Sequence, residues 1–140
     1  MPIRGLDHVA ITVADQERAL AFYRDVLSAE ILWEAEWRAG KLPIFSARVG
    51  GNVINIHAAA SPGSPRAENP TVGAGDLCFR WDGPIDAAVR LLAEKGVAVE
   101  EGPVWRPAAD GTWGASVYFR DPDGNLLELL TTDGAGEAGW

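Results

Sequence analysis

Two segments of this sequence carry the same short pattern and divide the chain into matching halves. Residues 51–57 (GNVINIH) and 124–130 (GNLLELL) each consist of a Gly-Asn pair and an apolar run that one polar side chain interrupts. Each segment closes a half that opens with a similar short strand, at residues 6–11 and 75–79. The chain is therefore predicted to be a duplicated unit, with His8, His57 and Glu128 as candidate metal ligands.

The first half is predicted to have the element order βαβββ. Alternating β-branched residues predict a strand at 8–13, and Asp15 is a good N-cap for a helix at 16–27. Three further strands are predicted at residues 29–38, 43–49 and 52–58. The Gly50-Gly51 pair between the last two strands is a hairpin signal.

The second half is predicted to repeat this order after a linker rich in Ala, Ser, Pro and Gly. It has a strand at 76–81, a helix that Pro84 begins and Gly96 caps, and extended segments at 97–101 and 104–106. Two more strands, at 115–120 and 125–130, flank a tight turn at 121–124. His8 and Asp76 precede their helices by nearly the same number of residues, which predicts equivalent positions. Alignment of the Gly-Asn pairs makes Asn55 and Glu128 equivalent as well.

Composition narrows the classes of function. The 140 residues are 47% apolar and 23% charged, with a formal net charge of −8. Nucleic acids and anionic membranes attract clustered Lys and Arg, so we expect neither as a partner. No run is long enough to span a membrane, the N-terminus lacks a signal-peptide layout, and the single Cys78 is expected to pack in a core. The expectation is a soluble, cytoplasmic protein.

Residues 6–13 (LDHVAITV), 21–27 (AFYRDVL) and 118–128 (YFRDPDGNLLE) together resemble the vicinal oxygen chelate superfamily. This superfamily includes glyoxalase I, fosfomycin-resistance proteins, bleomycin-binding proteins and extradiol dioxygenases. Residues 55–57 (NIH), 76–79 (DLCF) and 101–104 (EGPV) resemble its subgroup of glyoxalase-domain-containing protein 5 and virulence proteins.

The resemblance implies an α+β fold in which two βαβββ modules form an open, cup-shaped mixed sheet. The predicted organisation is one glyoxalase-like domain at 1–132, with module one at 5–59, a linker at 60–74 and module two at 75–132. A flexible tail is predicted at 133–140. The resemblance also implies a homodimer.

In this superfamily the metal ligands come from the first and last strands of each module. The resemblance therefore implies His8 as the first ligand and Glu128 as a ligand and catalytic residue, with His57 as the third candidate. Two imidazoles and one carboxylate suit Fe, Mn, Ni, Co or Zn as divalent ions and do not choose among them.

Two positions depart from the family pattern. Asp76 stands where the first strand of module two usually offers a histidine, and it either binds the metal or orients His8 as a hydrogen-bond acceptor. Asn55 stands where glyoxalase I has a glutamate, and it either lines the cavity or makes a structural hydrogen bond. His57 shares the face of Asn55, since side chains alternate along a strand. It either reaches the metal or contacts the substrate.

A further group of side chains is predicted to bind the substrate together with Asn55. Ser116 and Tyr118 share one strand face by alternation. Arg106 offers a fork of N–H donors for a carboxylate or phosphate, or else packs its stem on a tryptophan. Trp113, in the same part of the sequence, is also predicted to bind the substrate.

The leading hypothesis is a metal-dependent lyase, isomerase or ring-cleaving dioxygenase acting on a small oxygenated substrate that binds the ion through two oxygens. The alternative is a protein of the bleomycin-binding type that sequesters an antibiotic or another small molecule without metal catalysis. In that case Trp33, Trp37, Trp105 and Trp113 would supply stacking surface.

Overall fold

The computed structural model of the protein describes residues 2–133. The chain divides into two compact units, one ending at Ala74 and the other beginning at Gly75. Of the predicted tail at 133–140, only Asp133 lies within the described residues.

The first unit contains four strands, one long helix and one short helix. They are β1 (His8–Val13), α1 (Gln16–Asp25), β2 (Glu30–Leu32), α2 (Glu34–Arg38), β3 (Phe45–Val49) and β4 (Asn52–Ala58). The strands form one sheet in the order β1-β4-β3-β2. β1 and β4 are parallel, and the other pairs are antiparallel, so the sheet is mixed.

The second unit has the same sheet topology with one helix. Its elements are β5 (Asp76–Arg80), α3 (Ile85–Glu94), β6 (Glu101–Pro107), β7 (Trp113–Arg120) and β8 (Leu126–Thr131). The strand order is β5-β8-β7-β6, with β5 and β8 parallel. The two four-stranded mixed sheets confirm the predicted α+β fold of two βαβββ modules.

In each unit the helix covers one face of the sheet and leaves the other face for polar side chains. Helix α1 buries Ala19, Leu20 and Tyr23, and α3 buries Ile85, Ala88 and Leu92. The sheet residues beneath them alternate, so that Ile54 and Ile56 are buried while Asn55 between them is half-buried. Burial of these apolar side chains is the main favourable term in folding.

The predicted strand at 29–38 is wrong beyond Leu32. β2 ends there, Trp33 has the left-handed φ of 65°, and residues Glu34–Arg38 form the helix α2. A left-handed residue ends a strand, because its φ and ψ angles lie outside the extended region. The ion pair from Arg38 to Glu34, one helical turn earlier, then favours the helix.

The other predicted boundaries differ less from those observed in the structure. β6 begins at Glu101, so the predicted extended segment at 97–101 is irregular up to that residue. The helix cap at Asp15 is confirmed, because its side chain accepts from the Arg18 N–H. The hairpin at Gly50-Gly51 is also confirmed, since Val49 pairs with Asn52. Within residues 2–133, the helices are too short or too polar to cross a membrane.

Candidate functional site

The register of the parallel strand pairs places four predicted site residues in two equivalent arrangements. In the first unit, His8 pairs with Val53, and Asn55 lies two residues further along β4. In the second unit, Asp76 pairs with Leu126, and Glu128 lies two residues further along β8. Each pair is therefore offset by about 7 Å along the strands and shares the sheet face away from the helix. This confirms the equivalence that the repeat predicts.

His8 makes a side-chain hydrogen bond to the residue that precedes it in the chain. Its Nδ1–H donates to Asp7 Oδ2 at 2.9 Å, and its side chain is 46% exposed. A proton held on Nδ1 leaves the lone pair of Nε2 as the acceptor of the ring. The partner is Asp7, the preceding residue, whereas sequence reasoning considered Asp76 for this role.

Glu128 is half-buried and receives a short hydrogen bond. Ser116, which is fully buried on β7, donates through Oγ to Glu128 Oε2 at 2.6 Å. Tyr118 lies directly opposite Glu128 in the β7–β8 register. Burial and the charge of Glu128 raise the pKa of Tyr118, while the neighbouring Arg106 opposes this shift.

Arg106 extends this polar row on the same sheet face. Its Nε donates to Tyr118 Oη at 3.0 Å, and its Nη1 donates to the Trp105 carbonyl at 2.9 Å. The bond to Tyr118 raises the pKa of Arg106. Arg106 also forms an ion pair with Glu101, in which the distance from Nη2 to Oε2 is long at 3.8 Å. The structure thus brings Arg106, Tyr118, Ser116 and Glu128 together.

Cys78 also belongs to this face, contrary to the prediction that it packs in a core. It is exposed and lies directly opposite Glu128 in the β5–β8 register, two residues from Asp76. Although the residue is exposed, partial burial of its sulfur and the charge of Glu128 raise the pKa of this thiol to about 12. The sequence could have predicted this position, because side chains alternate along a strand and Cys78 therefore shares a face with Asp76.

Asn55 also accepts a hydrogen bond from a buried serine, which lies directly opposite it in the β3–β4 register. Ser46, nearly fully buried on β3, donates through Oγ to Asn55 Oδ1 at 2.7 Å. With its oxygen occupied in this way, the amide presents its N–H₂ group as a donor. Sequence reasoning did not single out Ser46.

His57 is not brought to His8. The β1–β4 register pairs His57 with Thr12, four residues along β1 from His8. The two side chains project in parallel about 13 Å apart along the strands, too far to share one ion. His57 Nδ1–H instead donates to the Pro62 carbonyl at 2.9 Å.

Trp113 lies on the opposite sheet face from Glu128. It pairs with Pro107, and the alternation along β7 puts it with Ala115 and Val117 rather than with Ser116. Its ring stacks on Trp105, with 5.8 Å between the ring centroids and 13° between the planes. The register therefore separates this aromatic pair from the polar row.

Each unit has its own candidate metal ligands. His8 offers an imidazole nitrogen in the first unit, and Asp76 and Glu128 offer carboxylates in the second. Among residues 2–133, no three His, Cys, Asp or Glu side chains gather closely enough to hold an ion.

Comparisons with known proteins agree with this fold. The virulence protein STM3117 of Salmonella typhimurium is 38% identical over 129 residues, covering 92% of this chain and 85% of that protein. Its crystal structure covers 94% of this chain and 98% of its own, with a TM-score of 0.82 and 34% identity.

Two further relatives have names that state a function. A metallothiol transferase, FosB of Shouchella clausii, is 29% identical and covers 92% of this chain and 81% of that protein. TnmS3, an antibiotic binding protein from a Streptomyces species, is 26% identical with a TM-score of 0.72, covering 94% of this chain and 98% of its own.

The family profile matches nearly all of the described residues. It extends over residues 5–129 and includes both the first strand with His8 and the last strand with Glu128. The chain belongs to the Glyoxalase/Bleomycin resistance protein/Dioxygenase superfamily.

Proposed function

We propose that this protein is a metal-dependent enzyme that acts on a small oxygenated substrate bound to a divalent ion through two oxygens. The observation that supports the proposal is the pair of equivalent registers, which give Asp76 the position of His8 and Glu128 the position of Asn55 in their own units. The metallothiol transferase relative supports metal chemistry in the superfamily. The reaction class is that of a lyase, an isomerase or a ring-cleaving dioxygenase.

The proposed ligands are His8 and Glu128, which the resemblance to the superfamily implies. Asp76, which has the same place in its unit as His8 has in the first, is a further candidate, whereas the register puts His57 about 13 Å from His8 along the strands. Fe, Mn, Ni, Co and Zn all accept such nitrogen and oxygen ligands. A bound ion would supply Lewis-acid stabilisation of the negative charge that develops on substrate oxygen.

The chain's own residues would orient the substrate around this centre. Arg106 presents a cation whose Nε and Nη1 are already held by Tyr118 and the Trp105 carbonyl, so little side-chain freedom is lost on binding an anion. Asn55 presents amide N–H groups that can donate to a substrate oxygen. Two subunits would form the homodimer that is common in such folds.

Metal titration of protein purified without a polyhistidine tag tests the proposal. We expect stoichiometric binding in the wild type and a loss of at least about tenfold in affinity for His8→Ala and Glu128→Ala, which each remove a proposed ligand. His57→Ala is the matched control, since the chain has only two histidines, and it should bind like the wild type. Equal binding by all four proteins, or none by the wild type, would contradict the proposal.

The alternative function, sequestration of an antibiotic or another aromatic molecule, has its own supporting observation. Trp113 is 48% exposed and stacked on Trp105, which is a preformed surface for a planar ligand. The antibiotic binding relative supports it. Saturable quenching of tryptophan fluorescence in chelator-treated protein, lost in Trp113→Ala, would favour this function over the metal-dependent one.

A further inference from the structure

The guanidinium of Arg106 is held in place by two neutral acceptors. Its Nε donates to Tyr118 Oη at 3.0 Å, and its Nη1 donates to the Trp105 carbonyl at 2.9 Å. Of the five N–H groups of a guanidinium, these bonds use one on Nε and one on Nη1, so those that remain are on the two terminal nitrogens. The side chain is 39% exposed, and a ligand can therefore approach these groups from solvent.

Glu101 is the carboxylate that lies beside the terminal nitrogens. It is directly opposite Tyr118 in the β6–β7 register, and its Oε2 lies 3.8 Å from Arg106 Nη2. That separation is too long for a hydrogen bond. The Glu101 side chain is 60% exposed, so water competes for both partners and the pair is weak.

Arg120, on the same face of the second sheet, shows what a fully engaged arginine looks like in this protein. Its Nε and Nη2 donate to the two carboxylate oxygens of Glu100 at 3.0 and 2.9 Å, and its Nη1 donates to the Gly124 carbonyl at 3.1 Å. Such a bidentate pair satisfies the guanidinium in both charge and geometry. Arg106 has fixed geometry without a bidentate carboxylate, and it is the arginine of the two that can accept one.

We propose that Arg106 forms a subsite that binds the carboxylate of the substrate through its terminal nitrogens, and that Glu101 is a weak internal competitor which this carboxylate displaces. The inference deepens the proposed function and rests on it in one respect, namely that the ligand is the substrate of that enzyme. It names the class of substrate, a small organic monocarboxylate, and it assigns a role to Glu101.

The charges on the same sheet face limit the class of anion. Glu128 lies opposite Tyr118 on the side away from Glu101, and Asp76 is two residues along the next strand from the partner of Glu128. In metal-free protein these carboxylates repel a second negative charge on a ligand, whereas a single charge meets Arg106. The subsite therefore favours a monocarboxylate over a phosphate dianion.

Titration of chelator-treated protein with sodium acetate at pH 8 and constant ionic strength tests this subsite. The readouts are the ¹H–¹⁵N signals of the backbone amides and of the Arg106 Nε–H group, which is assigned by its absence from Arg106→Lys. We expect a saturable shift of these signals in the wild type, and weaker binding of inorganic phosphate. Arg106→Lys keeps the charge but loses the fork of donors, so it should bind acetate about tenfold more weakly or worse.

Glu101→Gln is the variant that separates this proposal from general attraction to a positive charge. Removal of the competing carboxylate should raise acetate affinity about two- to fivefold, the range expected for loss of an exposed ion pair. Glu100→Gln is its matched control, since it removes the same charge from the adjacent residue, and it should leave the affinity read at the Arg106 signal unchanged. Arg120→Lys is the corresponding control for Arg106→Lys and should bind acetate like the wild type.

Three results would overturn the inference: no saturable acetate binding by the wild type, equal affinity in Arg106→Lys, or no gain in Glu101→Gln. Tighter binding of phosphate than of acetate would overturn the assignment to a monocarboxylate. The wild-type titration needs no variant to fold. Because it is carried out without metal, its failure leaves the metal titration of His8→Ala and Glu128→Ala as an independent test of the proposed function.

Discussion

The two units share a fold and a strand register, yet the same sequence signature has different roles in them. In the first unit, Asn52 of the Gly-Asn pair is exposed and merely starts β4 after a two-residue hairpin. In the second, Asn125 is 1% exposed and bonds both Gly75 and Asp121. A repeat in sequence therefore predicts equivalent positions reliably, but not equivalent contacts.

The polar faces of the units differ in the same way. The first presents a histidine and an amide at the positions where the second presents two carboxylates. The backbone supplies two equivalent positions in each unit, and the side chains there determine the chemistry. The following predictions test how far this equivalence extends, beginning with the largest expected effect.

The hydrophobic cores are expected to be equally important in both units. Phe45 on β3 and Phe119 on β7 are both completely buried. Phe45→Ala and Phe119→Ala should each lower the free energy of unfolding by about 3–5 kcal/mol, because each leaves a cavity. Urea denaturation followed by circular dichroism measures this. A loss below about 1 kcal/mol for either variant would show that the two cores do not contribute equally to stability.

The two Gly-Asn pairs are expected to respond very differently to substitution. Asn125→Ala removes the acceptor of the Gly75 N–H and a donor to Asp121, so it should cost about 2–3 kcal/mol. Asn52→Ala, the matched change at an exposed position, should stay within about 0.5 kcal/mol. Thermal denaturation of the two variants side by side measures the difference. Equal costs would show that the buried network in the second unit contributes nothing.

Cys78 is expected to report the charge of Glu128. At pH 8 its thiol stays protonated, because burial and Glu128 raise its pKa to about 12 from an ordinary value of 9.0. In metal-free protein, Glu128→Gln removes the negative charge and should accelerate alkylation by iodoacetamide severalfold, up to about tenfold. The chain has a single cysteine, so mass spectrometry follows this one reaction. An unchanged rate of alkylation would contradict an effect of the Glu128 charge on the Cys78 thiol.

The same shift has a consequence for stability at high pH. A thiol whose pKa is raised by folding keeps its proton longer in the native state than in the unfolded one. The contribution of the Cys78 thiol to the free energy of unfolding is therefore complete below about pH 9 and is lost as the pH rises towards 12. Cys78→Ser should flatten the decline in melting temperature over this range, which alkaline thermal denaturation measures.

The helix N-termini are expected to give the smallest effect. Asp15 accepts the Arg18 N–H at the start of α1, whereas Pro84 at the start of α3 makes no side-chain capping bond. Asp15→Ala should cost about 1 kcal/mol, and Pro84→Ser should add up to about 1 kcal/mol by supplying the missing acceptor. Chemical denaturation compares both with the wild type. Destabilisation by Pro84→Ser would mean that the proline ring contributes more than a cap does.

Local patterns were sufficient to predict much of the fold. The cap at Asp15, the alternation in β1 and the Gly50-Gly51 hairpin are short-range signals, and each is confirmed. The break after Leu32 was missed, because a left-handed Trp33 is rare and the apolar residues around it fit a strand as well as a helix.

The site was harder to predict, since register depends on pairing between distant segments. Alternation correctly grouped Ser116 with Tyr118. It gave no distance between His8 and His57, because that distance depends on which residues of β1 and β4 pair. The contact of Ser116 with Glu128 depends in the same way on the β7–β8 register.

The parallel pairing of β1 with β4, and of β5 with β8, sets the start of each first strand beside the start of the last strand of its unit. The chain therefore enters each half at one end of the strand pair and leaves it at the other end. Both strands of such a pair run in one direction, so side chains such as His8 and Asn55, or Asp76 and Glu128, keep a fixed spacing on one sheet face whatever residues occupy the positions.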